Sequence, residues 1–342
     1  ACLPLGMAAD TATSSPAYPV RSEGDLVLLD LERSEDLSFR IFYPDAAGTY
    51  PVIVFSHGLN ENQSTYEILG ERWSRHGYVT VFPSHHDSTS RRSGAADGGG
   101  GEPSDSTALL AFPQFTNRGT QSQSIFQRID DMLFVLDSLE EIQQTALPRE
   151  VRMDTERIGV GGVSLGALVT QLLGGVVTRD SFDGSEHSYA DPRPEAFLMV
   201  SPQGPSEQLS IPPDAWESFC RPMLVITGGS DPGPEGERPE WRKQPFDRCP
   251  DGDKYLLWFP HAVEKALIKP QRPNRNPFNH LSMTFHGGNP QVQMNPIFDL
   301  TVDVSLQFWD AYLKRDGAEL DRLKAGETGA ADSAVAVEFV VE

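Results

Sequence analysis

The stretch RIGVGGVSLGA, residues 157–167, places a serine between two glycines where an apolar run ends and a helical pattern begins. Gly162, Ser164 and Gly166 form a G-x-S-x-G motif. A sharp turn from strand to helix crowds the main chain, so small residues are needed on both sides of the serine. The motif therefore predicts that Ser164 lies on such a turn, at the carboxyl edge of a sheet and at a helix N-terminus.

Strand and helix patterns alternate on both sides of this motif. Residues 25–31 and 37–43 alternate apolar and polar side chains, which predicts an antiparallel hairpin. Residues 51–56, PVIVFS, are typical of a central parallel strand. Further strands are predicted at 78–83, 157–163, 196–201, 223–227, 255–259 and 334–341, and helices at 65–76, 122–143, 164–177 and 296–314. We expect a doubly wound α/β sheet, mostly parallel, of about eight strands with an antiparallel N-terminal edge.

The termini suggest one catalytic domain behind a short leader. Residues 1–22 are interpreted as a signal remnant or flexible tether, and residues 23–342 as a single domain. Ala1-Cys2 without an initiator Met resembles the end of a bacterial lipoprotein signal, with Cys2 as a lipid anchor. This predicts a secreted, periplasmic or cell-envelope protein of bacterial origin.

The composition excludes several classes of protein. A net charge of −21 repels phosphate backbones, so nucleic-acid binding is not expected. No apolar run approaches the roughly 18–20 residues of a membrane span. His85, His86 and Asp87 have no further His or Cys at ligand spacing nearby, so no metal site is predicted. We expect a monomer without a cofactor.

Two of the three cysteines each precede a predicted strand. Cys220 comes just before residues 223–227, and Cys249 just before 255–259. Neighbouring parallel strands start on the same side of a sheet, so the thiols are expected to meet in a disulfide. Such a bond would imply an oxidising compartment.

The loop after PVIVFS is a candidate for stabilising negative charge. The main-chain N–H of Leu59, or alternatively of Asn60, is expected to form an oxyanion hole together with that of Leu165. His57 is interpreted as shaping this loop. Asn60, Tyr66 and Phe278 are candidate substrate-binding residues.

A serine hydroxyl is a poor nucleophile. If Ser164 is the nucleophile, it needs a base to take its proton, and the base needs an acid to orient it. Asp231 follows the strand at 223–227 and is the favoured acid, with Asp214 as its rival. His280 is the favoured base because its loop has enough slack to reach the serine. His261 and His286 remain alternatives.

Several motifs resemble a known group of hydrolases. They are residues 55–59, 73–81, 86–88, 128–139, 191–197, 279–285 and 308–314. They resemble the platelet-activating-factor acetylhydrolase family and the bacterial predicted dienelactone hydrolases, which border on cutinase-like polyester hydrolases. The resemblance spans residues 25–314 and implies the α/β-hydrolase fold and ester hydrolysis. Gln203 stands where the acetylhydrolases carry their acid, and Ser164 replaces the cysteine nucleophile of true dienelactone hydrolases.

These observations predict a serine carboxylic ester hydrolase that forms an acyl-enzyme on Ser164. Short-chain or small apolar esters are the expected substrates. A phospholipase or acetylhydrolase-like activity and a polyester hydrolase are alternatives within the same chemistry. A non-catalytic binding protein on the same fold is a remote alternative.

Overall fold

The computed structural model describes residues 17–88, 118–180, 182–270, 295–328 and 335–342, with the main chain alone at 118–123. Strands and helices alternate through these ranges. The strands are β1 Val20–Asp30, β2 Glu35–Pro44, β3 Gly48–Ser56, β4 Val79–Ser84, β5 Val151–Val163, β6 Val177–Arg179, β7 Glu186–Ser188, β8 Pro194–Val200, β9 Met223–Gly228, β10 Lys254–Phe259 and β11 Glu338–Val341.

Among the described residues, nine strands form one sheet in the order β1-β2-β4-β3-β5-β8-β9-β10-β11. The pairs from β4 to β10 are parallel, whereas β1, β2 and β11 are antiparallel to their neighbours. Strands β6 and β7 form a separate ribbon. The expected mostly parallel sheet with an antiparallel N-terminal edge is confirmed, and β11 adds an antiparallel strand at the other edge.

Helices are present at all four predicted positions. The helices are α1 Glu67–Arg75, α2 Arg118–Asp137, α3 Leu139–Ala146, α4 Leu165–Gly174, α5 Gln244–Arg248, α6 Glu264–Ile268, α7 Pro296–Tyr312 and α8 Gly317–Lys324, with a 3₁₀ turn at Pro239–Lys243. Three short helices, α5, α6 and α8, were not predicted. The long helix predicted at 122–143 is two helices. Ser138 separates them, and its N–H is shared between the carbonyls of Phe134 and Val135.

The helices cover both faces of the sheet and bury two apolar layers. One layer packs α2, α3 and α4 against the sheet through residues such as Ile129, Ile142 and Leu172. The other packs α1 and α7, where the Trp73 and Trp309 rings meet edge to face at 6.0 Å. A helix layer on each face is the doubly wound arrangement expected from the sequence. No helix in the described part of the chain is long and apolar enough to cross a membrane.

The strand order reverses between β3 and β5. The chain runs from β3 outward to β4, then returns to place β5 on the other side of β3. Ligands of open α/β sheets bind at the carboxyl edge beside such a reversal. The register pairs Ser56 with Gly162, so the loop after β3 lies next to the turn that carries Ser164.

Candidate active site

Ser164 connects β5 to α4 with a main-chain conformation that is rare for a residue with a side chain. Its φ is 52° and its ψ is −117°, a combination that costs about 1–3 kcal/mol. A Cβ on Gly162 would lie 2.3 Å from the Gly166 oxygen, and one on Gly166 would lie 2.1 Å from the Ser56 oxygen. The two glycines of the motif are therefore required by close approach of the main chain.

The turn leaves amide donors beside the serine. Leu165 is the first residue of α4, and the first-turn N–H groups of a helix have no partner within it. Across the β3–β5 pair, the N–H of Leu59 has no acceptor among the described residues. Both predicted oxyanion donors thus come from turns that follow adjacent strands. Their joint action on one substrate oxygen stays a prediction.

His57 is a loop-shaping residue and is 1% exposed. Its Nε2 accepts from the His85 N–H at 3.1 Å, so its Nδ1 carries the proton and donates to the Gly58 oxygen at 2.7 Å. Burial, followed by the Arg128 charge, holds the pKa of His57 well below its usual range. A neutral imidazole with both nitrogens hydrogen-bonded to the main chain is consistent with the interpretation that His57 shapes the loop.

A second serine, histidine and aspartate lie behind the loop. Ser56 Oγ is 2.8 Å from His85 Nε2, and His85 Nδ1 is 2.9 Å from Asp131 Oδ2. Ser56 and His85 have no exposed surface and Asp131 has 4%. No substrate reaches a serine buried in this way, so the group serves the structure. Sequence reasoning missed it because the three residues are far apart along the chain.

Asp231 follows β9 and is 1% exposed. Its Oδ1 lies 3.0 Å from Arg242 Nε, and Thr227 donates to its Oδ2 at 3.3 Å. Burial raises the pKa of Asp231, although the Arg242 charge and hydrogen bonds oppose the shift. Among the described residues Oδ1 has no hydrogen-bond donor of good geometry. A buried carboxylate oxygen with an open acceptor site suits a residue that orients a histidine.

Glu264, the first residue of α6, is a site residue that sequence reasoning missed. Its carboxyl lies close enough to Ser164 for the serine to act on its pKa, and it is 4.0 Å from Arg242. Burial first, and the Asp231 charge second, raise the pKa of Glu264 to about 7, against the effects of Arg242 and Ser164. The available signal was an acid shortly after β10, at the same sheet edge as Ser164.

Of the three histidines predicted as candidate bases, only His261 lies among the residues that the structure describes. His280, His286 and the candidate substrate-binding residue Phe278 lie outside the described residues. His261 is exposed directly after β10, and no hydrogen bond joins it to Ser164 or Asp231. The base therefore stays a prediction, with His280 favoured.

Tyr66 and Asn60 differ in their accessibility to a substrate. Tyr66 is 3% exposed, and its hydroxyl donates to Glu61, which also accepts from the Gly58 N–H. Lys269 pairs with the same carboxylate. Tyr66 therefore supports the loop from behind. Asn60 is half-buried on the loop itself, with φ of 58°.

Asp214, the rival acid, lies elsewhere on the surface. Its carboxylate pairs with Arg179 at 3.0 Å, and its side chain is 48% exposed. An exposed ion pair of this kind contributes little to stability or to orientation of a base. Asp214 is therefore engaged in a surface ion pair, and Asp231 as the acid stays a prediction.

The expected disulfide between Cys220 and Cys249 is not formed. Both are free thiols, with Cys220 exposed and Cys249 buried. Burial is the main cause that raises the pKa of the Cys249 thiol to about 12, and Cys220 adds to it. The side chain of Cys249 belongs to the core layer, whereas that of Cys220 faces solvent.

Metal binding has no support within the described ranges. No group of three or more His, Cys, Asp or Glu side chains there is arranged to hold a metal ion. His85, part of the HHD sequence, instead bonds to Ser56 and Asp131.

The strand order and the turn at Ser164 define the class of protein: this chain has the α/β-hydrolase fold. Residues 29–97 match the family model described as Chlorophyllase, a lipase- and esterase-like α/β-hydrolase family. The match covers β2, β3, α1 and β4 with the loop that contains His57 and Leu59, and it ends before Ser164. No curated protein matches the chain.

Proposed function

We propose that this protein is a serine carboxylic ester hydrolase. The observation that carries the proposal is the strained main chain of Ser164 between β5 and α4. Strain of 1–3 kcal/mol persists where surrounding structure enforces it, and such sites cluster at catalytic centres. The similarity of residues 29–97 to an esterase-like family supports the same class of chemistry.

In the proposed reaction, Ser164 Oγ attacks the ester carbonyl and its proton passes to the base, for which we propose His280. The carbonyl oxygen becomes an oxyanion, and the N–H groups of Leu59 and Leu165 stabilise it. The alcohol then leaves with the proton from the base, and an acyl-serine remains. Water, activated by the same base, releases the acid and restores Ser164.

Asp231 is proposed to orient the base. Its buried carboxylate would accept the N–H of an imidazole, fix the tautomer and stabilise the imidazolium; Oδ1, although paired with Arg242, has no hydrogen-bond donor of good geometry among the described residues. Arg242 Nε lies 3.0 Å from the same Oδ1, and Arg242 Nη1 donates to the Ser201 oxygen at 2.6 Å. The acid is therefore tied to the turns after both β8 and β9.

The substrate is proposed to be a short-chain or small apolar ester. Phospholipid and polyester are alternative substrates within the same acyl-transfer chemistry. Because the matched family is described as Chlorophyllase, chlorophyll should be included among the ester substrates that are tested. Soluble p-nitrophenyl esters, oxidised phospholipid, polyester film and chlorophyll would separate these classes.

Replacement of the nucleophile tests the proposal. We expect Ser164→Ala to lower kcat for p-nitrophenyl butyrate by at least about a thousandfold. Ser210→Ala is the matched control, because Ser210 also has a positive φ, 57°, but lies away from the site. A fluorophosphonate should label wild-type protein on the peptide that contains Ser164. Unchanged turnover in Ser164→Ala would refute Ser164 as the nucleophile, whereas wild-type protein with neither turnover nor labelling would favour a non-catalytic binding protein.

A further inference from the structure

Arg128, on α2, is a buried cation with no exposed surface. Its guanidinium is held by Asp87, with Nη2 2.8 Å from Oδ1 and Nε 3.1 Å from Oδ2. Burial is the largest single effect on the pKa of Asp87 and raises it, but the charge and hydrogen bond of Arg128, together with His57 and His85, lower it overall. A fixed, charged fork therefore lies behind the loop that follows β3.

The same guanidinium group also binds two consecutive main-chain carbonyl groups of the loop after β3. Arg128 Nη1 donates to the His57 oxygen at 2.6 Å, and Nη2 donates to the Gly58 oxygen at 3.1 Å. The Gly58 oxygen also accepts from His57 Nδ1 at 2.7 Å and from the Glu61 N–H at 3.3 Å. Three donors from three residues thus fix the orientation of one peptide group.

That peptide group also contains the N–H of Leu59. The described residues have no cis peptide bond, and in a trans peptide the N–H points opposite to the C=O. With the Gly58 oxygen turned toward Arg128, the Leu59 N–H is turned away from it. The neighbouring Gly58 N–H is already used by Glu61 Oε2 at 3.0 Å, which leaves the Leu59 N–H as the open donor of this turn.

We propose that Arg128, held in place by Asp87, is a positioning residue that presents the Leu59 N–H to the substrate oxyanion. The inference rests on the proposed function, because an oxyanion donor has a role only if Ser164 attacks a carbonyl. The oxyanion hole then depends on a side chain that never touches the substrate. Its support matters most in the transition state, when charge on the oxygen is greatest.

The buried pair of Ser56 and His85 strengthens the same turn from the second side. His85 uses its main-chain N–H to hold His57 Nε2, and its ring to hold Ser56 Oγ. The His57 and His85 rings lie 4.8 Å apart between centroids. His57 is thereby kept in the tautomer whose Nδ1 donates to the Gly58 oxygen. Arg128 and His57 act on one carbonyl, so loss of Arg128 should loosen the peptide without freeing it entirely.

Arg128→Lys is the variant that best separates the geometry of the side chain from its charge. Lysine keeps a positive charge beside Asp87, but an ammonium lacks the planar fork needed to reach both carbonyls and the carboxylate. Arg221→Lys is the matched control: Arg221 binds four carbonyls, including those of Pro194 and Leu173, ahead of β9 at the opposite edge of the sheet. Active-site titration with a fluorophosphonate gives kcat per competent site.

We expect Arg128→Lys to lower kcat about tenfold to a hundredfold, less than the loss of a whole oxyanion donor, with KM within about twofold. Affinity for a trifluoromethyl ketone, which binds as an oxyanion, should fall in parallel with kcat/KM, whereas that for a non-reactive ketone should not. Arg221→Lys should keep wild-type kcat. Wild-type kcat in Arg128→Lys, or a loss confined to KM or to the melting temperature, would overturn the inference.

Two further outcomes are distinguishable. If Arg128→Lys does not fold, Asp87→Asn provides the test: it removes the anchoring charge, and we expect a several-fold loss of kcat, so wild-type kcat would overturn the inference. If wild-type protein shows neither ester turnover nor labelling of Ser164, the proposed function fails and the inference fails with it. Active wild type with an unaffected variant refutes the positioning role alone.

Discussion

Asp231 and Arg242 form an ion pair that is almost wholly buried, with Oδ1 3.0 Å from Nε and side-chain exposures of 1% and 4%. Arg242 also donates to the main-chain oxygen of Asp231 at 3.1 Å and to that of Pro232 at 3.1 Å. A single cation therefore balances the carboxylate and holds the turn that presents it. The protonation state of the Asp231 carboxylate therefore depends directly on the positive charge of Arg242.

Replacement of Arg242 by glutamine should impair both stability and activity. Breaking a buried ion pair from one side costs about 3–5 kcal/mol, because the remaining charge is uncompensated. Arg242 lowers the pKa of Asp231, so its removal raises that pKa, and activity should be lost at a higher pH on the acid side. The measurement is kcat/KM against pH, together with urea unfolding. Arg238→Gln, an exposed arginine of the same segment, is the control and should leave both unchanged.

Replacement of Glu264 by glutamine should raise stability in a pH-dependent way. A carboxyl whose pKa rises from 4.5 to about 7 on folding favours the folded state fully below pH 4.5 and loses that contribution as pH rises through 7. Wild-type protein thus keeps an unfavourable charge on a half-buried side chain at pH 8, whereas glutamine carries no charge. We expect Glu264→Gln to raise the melting temperature at pH 8 and to change it little at pH 4.5.

The comparison for Glu264 is Glu240→Gln, an exposed glutamate near the same edge, which should show equal melting-temperature differences at both pH values. An identical effect of Glu264→Gln at pH 4.5 and pH 8 would contradict the assigned environment. The variant also removes the ionisable carboxyl group beside Ser164. Labelling of Ser164 by a fluorophosphonate should therefore depend less on pH in the variant.

Addition of one methyl group at Gly166 should disrupt the turn. A Cβ there would meet the main-chain oxygen of Ser56 at 2.1 Å, and such overpacking costs about 1–3 kcal/mol. The displacement separates the loop after β3 from the N-terminus of α4, so kcat should fall as well as stability. Gly317→Ala is the control, since nothing lies within 4 Å of its would-be Cβ. Equal melting temperatures and activities for the two variants would show that the close approach is absent.

The fold could be predicted because its signals are local. The G-x-S-x-G motif, the apolar strand predicted at residues 51–56 and the alternation in β1 and β2 each depend on a few neighbouring residues. Packing then selects the sheet, because apolar strands and amphipathic helices have few ways to bury their surfaces. The sequence could not show the break at Ser138, since helical periodicity continues through it.

The site could be predicted only in part. Ser164, Leu165 and Asp231 follow strands, and the carboxyl ends of parallel strands meet at one edge. Glu264 was missed because nothing in its own neighbourhood distinguishes it from a solvent-exposed helical glutamate. The free thiols of Cys220 and Cys249 differ from expectation: strand adjacency alone does not decide whether two sulfur atoms bond, and here Cys220 is exposed whereas Cys249 is buried.

By itself the sequence determined the α/β order and the strained serine between two glycines, because those features follow from steric limits within a few residues. Only the tertiary structure decided that Arg128 binds the Gly58 oxygen and that Glu264 contacts Ser164. These pairs are separated by 70 residues and more along the chain. They meet because sheet register and helix packing bring distant segments together. Burial then strengthens the electrostatic interactions of their charged groups and shifts their pKa values.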